Sequence, residues 1–259
     1  MTESRQKEKR QEKLKQRSYV FINYGLAILT FVALGALVVI RQPRELDFST
    51  IFSRSDRIIV AFLTTIEVSF KALGGSMILG LIFYFFSISK IKYLRAFTDV
   101  FTEIIYGTPL LVMIFMMGYV FRYAFNFTDA ATMGLIGLTI YIAPYMTNIF
   151  KAAFSSIPET QYQAMDLFGF TTYQRYRYLI IPQMIRVLMA PLMNNFSLII
   201  KGSALLYLVA EEEIFYELNL IRLETGRTLE SFFVMWILYI MITLPLSMFT
   251  RYVERRWRT

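Results

Sequence analysis

Long apolar stretches, separated by short polar segments, dominate the pattern of hydrophobic and polar positions along this chain. The apolar stretches cover residues 20–40, 58–88, 97–119, 133–153, 184–209 and 231–250. A bilayer core about 30 Å thick needs about 20 mostly apolar residues per helix, so each stretch is long enough to cross a membrane. Short alternating segments of the kind that form β-barrels are absent from the sequence. The pattern predicts an all-α, polytopic membrane protein with six transmembrane helices.

Composition agrees with a membrane protein and removes several kinds of chemistry. Hydrophobic residues make up 56% of the 259 residues, which leaves too few polar residues to cover a soluble domain. The chain contains no cysteine and no histidine. This excludes disulfides, thiol nucleophiles, an imidazole general base and most zinc and haem ligand sets. We therefore predict neither a catalytic site nor a metal site in this chain.

The formal net charge of +8 is distributed unevenly along the chain. If the N-terminus lies in the cytosol and six helices alternate, eighteen Lys and Arg residues fall on the cytosolic side and seven on the outer side. This bias is typical of membrane proteins and predicts that both termini are cytosolic. The basic N-terminus is then expected to contact anionic membrane lipid rather than nucleic acid.

The chain divides into four predicted regions with different roles. They are a basic cytosolic N-terminus (1–19), an N-terminal transmembrane helix (20–41), an external linker (42–57) and a membrane domain (58–259). The membrane domain contains a polar cytosolic insert at residues 156–182, between two apolar stretches.

The second apolar stretch carries two helical patterns. Ala72, Ser76 and Gly80 are four residues apart and form a nearly bare helix face, which we expect to pack closely on another helix. Glu67 and Lys71 are also four apart and are expected to form an ion pair near the outer interface. Two other stretches contain an internal proline, Pro144 and Pro191, which predicts bent helices around a cavity.

Local signals in the cytosolic insert predict two short helices joined at a glycine. Pro158 suits the start of the first helix, and Gly169 suits the left-handed residue that ends it. Thr171 and Gln174 have the spacing of a capping box for a second helix that reaches Ile181.

Apolar side chains cluster around this glycine although the insert is polar. We expect them to form a knob that docks into a partner's cleft. They are Met165, Leu167, Phe168 and Phe170.

Several motifs resemble those of one family of membrane transporters. SIPETQYQAM, followed by Gly169 and then by Pro182 thirteen residues later, is similar to the EAA loop of ATP-binding cassette (ABC) importer permeases. TEIIYGTPLLV at residues 102–112 resembles their ELIRGTPLLV signature, and FLTTIEVS at 62–69 resembles the start of their first core helix. LTIYIAPYMTNIF is similar to LTLYxxAYxxEIF. These matches keep the family's order, and within the importers they resemble the polar amino acid uptake family.

The resemblance implies a fold, a function and partners. The fold would be the five-helix core of type I ABC importers with one additional N-terminal helix. The chain would be a non-catalytic permease subunit in the bacterial cytoplasmic membrane, forming the path for a polar amino acid or similar small zwitterion. It would pair with a second permease, identical or related, and work with two cytosolic ATPase subunits and an external binding protein. ATP and magnesium would bind to the ATPase subunits, since this chain has no GxxxxGK[ST] segment.

The resemblance also assigns the contact with the ATPase to the insert. The residues expected to make it are Glu159, Gln163, Ala164, Met165, Leu167 and Gly169. Two of them depart from the family pattern, because Gln163 and Met165 replace a glutamate and an alanine.

A second departure concerns a lost pair of charges. Tyr106 stands where the family has arginine before GTP, and Asn148 stands where it has the glutamate of AYxxE. Our hypothesis is that a charged pair has been replaced by neutral groups that hydrogen-bond to each other. Side chains more than about 10 Å apart would contradict it.

Polar side chains within the apolar stretches are candidates for contact with substrate, because burying them in lipid is costly. The candidates are Lys201, Asn194, Asn195, Ser203, Asn148, Tyr141 and Glu103. Lys201 lies seven residues after Asn194 and hence on the same helix face, where it could meet a substrate carboxylate. The alternative roles for Lys201 are a structural salt bridge or a side chain that snorkels towards the membrane surface.

Two other functions are alternatives to an ABC importer. An ion-coupled secondary transporter would need intramembrane acids and inverted repeats, and it leaves the cytosolic insert unexplained. A membrane enzyme would need a catalytic cluster, which the residues above do not supply. The acidic segment at 211–230 either docks an external partner or is solvated.

Overall fold

The computed structural model describes residues 2–41 and 45–257, and every regular element in these ranges is helical. Residues 42–44 of the predicted linker, which include Arg44, lie outside the described residues. Arg258 also lies outside them. The helices are α1 (Thr2–Ile40), α2 (Ser49–Phe52), α3 (Ser55–Ser87), α4 (Lys92–Gly107), α5 (Leu110–Phe115), α6 (Arg122–Ala124), α7 (Ala130–Ser155), α8 (Glu159–Leu167), α9 (Thr172–Gln174), α10 (Ile181–Ser203), α11 (Ile214–Thr225) and α12 (Thr228–Trp257). Among these residues, five helical runs are long and apolar enough to cross a membrane, and a bent pair makes a sixth.

The first compact unit, Met1–Leu46, contains α1. This helix begins at Thr2, so the basic segment and the apolar segment that follows it are one continuous helix. Glu, Gln, Lys and Arg are good helix formers, which explains why the polar part is helical. The part long enough to span a membrane is Ile22–Ile40, and its side chains are exposed.

The second unit, Asp47–Thr259, is built around the contact between α3 and α7. The predicted bare face is confirmed, since Ala72, Ser76 and Gly80 are all buried. At Gly80 the helices are so close that an added Cβ would lie 2.4 Å from the Cβ of Met146. Thr147 Oγ1 donates a hydrogen bond to the Gly80 carbonyl over 3.1 Å and ties the two helices together.

The third predicted span is not one helix. It is broken into α4 and α5, whose axes differ by 107°. Pro109 has no backbone N–H, and the residue before a proline is pushed towards extended conformations. Thr108 is extended accordingly, with φ −102° and ψ 123°, so the helix stops at Gly107 and restarts at Leu110. The prediction of a single helix over 97–119 was wrong at this point.

The second helix of the cytosolic insert also differs from the prediction. It does not end at Ile181 but continues through α9, a π-helical turn (Arg175–Ile180) and α10 as one run to Val209. Pro182 directly follows the π-helical turn, and the helix continues through it without a break. Pro144 and Pro191 lie inside α7 and α10, as predicted.

The end of the predicted linker is part of the membrane domain. Ile51 in α2 is completely buried in a cluster with residues of α11 and α12. Burying an isoleucine contributes about 1.5–3 kcal/mol, more than an exposed ion pair usually does. The boundary predicted at 57/58 therefore moves to Asp47, where the compact unit begins.

Ion pairs also fasten this region to α11, which lies within the acidic segment. Arg57 pairs with Glu217 and, over 3.3 Å, with Glu224, and Arg54 also lies 3.3 Å from Glu224. Part of the acidic segment is thus engaged within the chain.

Candidate functional site

The cytosolic insert forms an elbow whose turn is fixed by hydrogen bonds. Helix α8 ends at Leu167, and Gly169 adopts the left-handed conformation with φ +69°. The Phe170 N–H donates to the Met165 carbonyl over 3.0 Å, and the Gly169 N–H donates to the Asp166 carbonyl over 3.1 Å. This is a complete Schellman motif and confirms the predicted glycine turn.

The helix that follows the elbow is held in a fixed direction. The predicted capping box is present, because the Gln174 N–H donates to Thr171 Oγ1 and the Thr171 N–H donates to Gln174 Oε1. Arg175 bridges the elbow, with an ion pair to Asp166 at 2.5 Å and a hydrogen bond to the Phe170 carbonyl at 2.9 Å. These contacts make the elbow a defined shape rather than a flexible loop.

Leu167 and Phe168 form the elbow tip. Their side chains are 88% and 80% exposed, although both are large and apolar. Large apolar side chains projecting from a polar segment are typical of a surface that binds another protein. Glu159, Gln163, Ala164 and Gly169 are also exposed, on the outside of the elbow.

Met165 faces the other way. It is 3% exposed and packs with Ala153, Ile157, Ile180 and Met184 in a small core beneath the elbow. Two residues along a helix turn the side chain by about 200°, so Met165 and Leu167 point to opposite sides. The expectation that Met165 contacts a partner is therefore corrected, and its role is to anchor the elbow.

A second group of predicted residues meets beside the break between α4 and α5. Asn148 Nδ2 donates a hydrogen bond to the Tyr106 hydroxyl over 2.7 Å, which confirms the hypothesis that these neutral groups pair. The Tyr145 ring lies 5.1 Å from Tyr106 and 6.1 Å from Tyr141, between ring centroids. Tyr106, Tyr141, Tyr145 and Asn148 are hereafter the inner polar cluster.

Sequence reasoning missed Tyr145. Its spacing was a usable signal, because residues 141, 145 and 148 are four and three apart and share one face of a helix.

Lys201 lies near the same break. It is exposed in the last turn of α10, and its neighbour Gly202 packs closely on the start of α5. A Cβ at Gly202 would lie 3.1 Å from Leu110 Cδ2 and 3.5 Å from Leu138 Cδ1. Asn194 is also exposed on α10, two turns earlier.

The remaining candidates are placed differently. Ser203 is fully buried, and its hydroxyl donates to the Ile200 carbonyl over 2.8 Å. Asn195 is half-buried and donates to the Pro191 carbonyl over 3.2 Å, while its buried Oδ1 has no hydrogen-bond partner among the described residues. Glu103 is exposed on α4, one turn before Tyr106.

Comparison with known proteins identifies the family. The sequence model of a family described as binding-protein-dependent transport system inner membrane component matches residues 76–259, more than two thirds of the chain. The chain belongs to this family. It is therefore a membrane-spanning component of a binding-protein-dependent transport system, which in general works with an ATPase and a substrate-binding protein.

Similar members of this transport family have been named in bacteria. The probable glutamine ABC transporter permease protein GlnM of Bacillus subtilis (strain 168) is 28% identical over 211 residues, covering 82% of this chain and 98% of GlnM. The L-cystine transport system permease protein TcyB of the same strain is 32% identical over 198 residues, covering 74% of this chain and 82% of TcyB.

Solved structures agree with the fold of this transport family. A chain from the crystal structure of an amino acid ABC transporter with histidines is 27% identical and has a TM-score of 0.73. The match covers 82% of this chain and 100% of that chain. A chain of the MetNI methionine ABC transporter, at 14% identity and a TM-score of 0.63, shares the fold. The predicted importer core with an additional N-terminal segment is thus confirmed.

Proposed function

We propose that this chain is the permease subunit of an ATP-driven importer that carries a polar amino acid or a similar small zwitterion. The relatives named above support this substrate class, since their names specify glutamine and L-cystine. The solved structure that is 27% identical to this chain is that of an amino acid ABC transporter. The chain itself would hydrolyse no ATP, and ATP with magnesium would bind to its ATPase partners.

The exposed elbow tip is the observation that carries the proposal. Leu167 and Phe168 project from a rigid elbow between two membrane spans, and an exposed apolar pair of this size is costly in water. A cleft in a cytosolic ATPase subunit would bury both side chains. Movement of that subunit during hydrolysis would then reach α7 directly, because Met165 packs on Ala153 at the end of α7.

The substrate path would run along the inner polar cluster. Asn148 is exposed although it lies within a membrane-spanning helix, so it needs a neighbour other than lipid. A water-filled path shared with a second permease, identical or related, supplies that neighbour. Lys201 and Asn194 lie on α10 and would line the same path.

In this arrangement the chain spans the bacterial inner membrane, and both termini and the elbow lie on the cytosolic side. An external binding protein would deliver substrate to the opposite side, where α11 lies. The assembly would contain two ATPase subunits, one for the elbow of each permease.

Co-purification from membranes tests the coupling role. Leu167→Glu places a charge in the expected cleft and should abolish recovery of ATPase activity with the chain. The matched control is Leu223→Glu, because Leu223 is another exposed leucine, 64% accessible, at the far end of the domain on α11. Equal ATPase recovery with wild type and Leu167→Glu would overturn the coupling role. Solute transport without any ATPase would instead favour the ion-coupled secondary transporter.

A further inference from the structure

One side of α4 carries a row of charged side chains. Lys92, Arg95, Asp99 and Glu103 are spaced by three, four and four residues, so they share one face of the helix. All four are exposed. Among the described residues, none of these four side chains forms an ion pair or a hydrogen bond. The four residues are hereafter the charged face of α4.

The charged face of α4 leads into the inner polar cluster. Tyr106 follows Glu103 by three residues on the same side of the helix and accepts the hydrogen bond from Asn148. Asn148 lies inside α7, a helix long and apolar enough to cross a membrane. Exposed charges within two turns of that contact need water or an opposite charge beside them rather than lipid.

The other sides of α4 are apolar or buried, so the charges are not spread around the helix. Thr98 and Ile105 are buried, and Phe101 packs on Phe83 of α3 with ring centroids 4.6 Å apart. A separate exposed flank of α4 is apolar and suits contact with lipid. It consists of Tyr93, Phe97, Val100 and Ile104.

Helix α4 lies across the direction of the membrane-spanning helices. The π-helical turn that follows α5 runs along α7, because an added Cβ at Gly137 would lie 3.0 Å from Met117 Cγ and one at Gly118 would lie 3.6 Å from the Ala130 carbonyl oxygen. The axes of α4 and α5 differ by 107°, which is close to a right angle. Helix α4 is therefore nearly parallel to the plane of the membrane.

This direction decides how α4 would meet α4 of a second copy of the chain. A two-fold axis that relates two copies inserted the same way round must run along the membrane normal. A helix perpendicular to such an axis is antiparallel to its symmetry copy. The two α4 helices would therefore meet with their charged faces running in opposite directions.

The order of charges on the charged face of α4 is complementary to itself in this arrangement. Two positive residues come first and two negative residues follow. In antiparallel helices that cross at residue 97, Arg95 and Asp99 lie about 3 Å from the crossing on opposite sides, and Lys92 and Glu103 lie about 8 Å from it. Each positive residue then faces a negative residue of the second copy.

We propose that the partner permease is a second copy of this chain, bound through the charged face of α4. Arg95 pairs with Asp99 of the second copy, and Lys92 pairs with Glu103 of the second copy. Each pair occurs twice because the interface is symmetric. The two inner polar clusters then border one shared path. This inference rests on the proposed function, whose second permease it identifies.

Co-recovery of two differently tagged copies from one bacterial membrane tests this pairing. Arg95→Asp in both copies places acids opposite acids and should lower co-recovery at least fivefold. Asp99→Arg in both copies places bases opposite bases and should have the same effect. A mixed pair, with one variant in each copy, has opposite charges at every contact and should return to at least half of the wild-type recovery.

Rescue in the mixed pair separates a contact between copies from a contact within one helix. An ion pair between Arg95 and Asp99 of the same copy would be restored only by both changes in one chain. The matched control is Arg251→Asp, a charge reversal at an exposed arginine of α12, which should leave co-recovery unchanged.

Disulfide formation gives a second readout, because the chain contains no cysteine. Ala96 is exposed between Lys92 and Asp99, one residue from the expected crossing. Ala96→Cys should therefore link two copies when membranes are oxidised. Phe97→Cys, the next residue, lies on the flank expected to contact lipid and should link at least fivefold less.

Three results would contradict different parts of the account. A wild-type chain that imports an amino acid with ATP but recovers no second copy of itself would overturn this inference and leave the proposed function intact. Equal co-recovery of wild type, Arg95→Asp and the mixed pair would also overturn it. Copies that pair through α4 but import no amino acid with ATP would instead overturn the proposed function.

Discussion

Gly80 determines how closely the two central helices of this permease approach each other. An added Cβ would lie 2.4 Å from Met146 Cβ and 3.0 Å from both the Met146 carbonyl carbon and the Thr147 nitrogen. Two of these neighbours are backbone atoms, which cannot move without shifting the whole of α7. The interface between α3 and α7 therefore depends on the absence of a side chain at position 80.

We expect Gly80→Ala to lower the free energy of unfolding by about 1–3 kcal/mol, as overpacking of a tight core does. The matched control is Gly74→Ala on the same helix, where no atom lies within 4 Å of the added Cβ. Alanine is the better helix former, so the control should be neutral or stabilising by up to about 1 kcal/mol. Unfolding of the purified chain in detergent measures both. Equal stability of the two variants would contradict this account of the interface.

The hydrogen bond between Asn148 and Tyr106 can be tested by restoring the charges that the family pattern has there. Tyr106→Arg alone and Asn148→Glu alone each place an unpaired charge in the membrane, at a cost of about 2.5–3.5 kcal/mol. The double variant brings the two charges together where the native groups lie 2.7 Å apart. It should therefore recover melting temperature and membrane yield relative to either single variant. A double variant that is worse than both singles would show that the two positions are not coupled.

At the scale of single residues, the sequence predicted contacts that follow from spacing or from a departure from the family pattern. The Glu67–Lys71 pair and the Tyr106–Asn148 contact are of this kind. Helical geometry explains why Met165 points inward. The sequence alone does not show which face of α8 is buried. The ion pairs of Arg57 with α11 join residues 160 or more positions apart, and no local pattern indicates such partners.

Prolines shape the helices of the membrane domain. The effect of each proline depends on the conformation of the residues around it. Pro109 breaks the third span because Thr108 and Pro109 itself adopt extended conformations. Pro182 breaks nothing, since the π-helical turn Arg175–Ile180 before it shifts the hydrogen-bond register and the helix continues. Hydropathy alone could not separate the two cases. The glycine in GTP was the better signal, because Gly107 is a poor helix former and no glycine stands directly before Pro182.

Helix α11 is joined to α12 by one buried carboxyl group. Glu213 is fully buried, accepts the Tyr216 N–H over 2.9 Å as the cap of α11, and accepts the Tyr239 hydroxyl over 2.6 Å. Burial raises the pKa of Glu213 from 4.5 to about 7, against the opposing effect of these hydrogen bonds. The folded protein thus binds this proton more tightly than the unfolded chain.

The raised pKa of Glu213 predicts a pH-dependent stability. Its stabilising contribution is complete below pH 4.5 and is lost as pH rises through about 7, because the unfolded chain then ionises more readily than the folded one. Glu213→Gln keeps an acceptor for Tyr216 and gains a donor towards Tyr239 without a charge. Relative to wild type, its free energy of unfolding should rise by up to about 3 kcal/mol between pH 5 and pH 8.5.

Melting temperatures across that pH range measure the effect. Glu212→Gln, the same change at an exposed neighbour, serves as the control. A constant difference between wild type and Glu213→Gln at all pH values would contradict the linkage.

At the scale of the whole molecule, the membrane domain carries an elbow with an exposed apolar tip at one end and charged groups at the other. The elbow was predictable because its glycine, capping box and apolar tip are all local signals. The span count was predictable from hydropathy, with one span bent. The attachment of α2 to the domain was not predictable, because it depends on a single buried isoleucine and on distant charges.

In the proposed function, ATP hydrolysis by a partner drives an amino acid through this permease. The direct measurement is accumulation of labelled L-glutamine by proteoliposomes that contain the intact complex, with the external binding protein added outside and ATP enclosed. Accumulation above the outside concentration should require hydrolysable ATP and should be lost in Leu167→Glu. Accumulation driven by an ion gradient without ATP, and unaffected by Leu167→Glu, would contradict the claim.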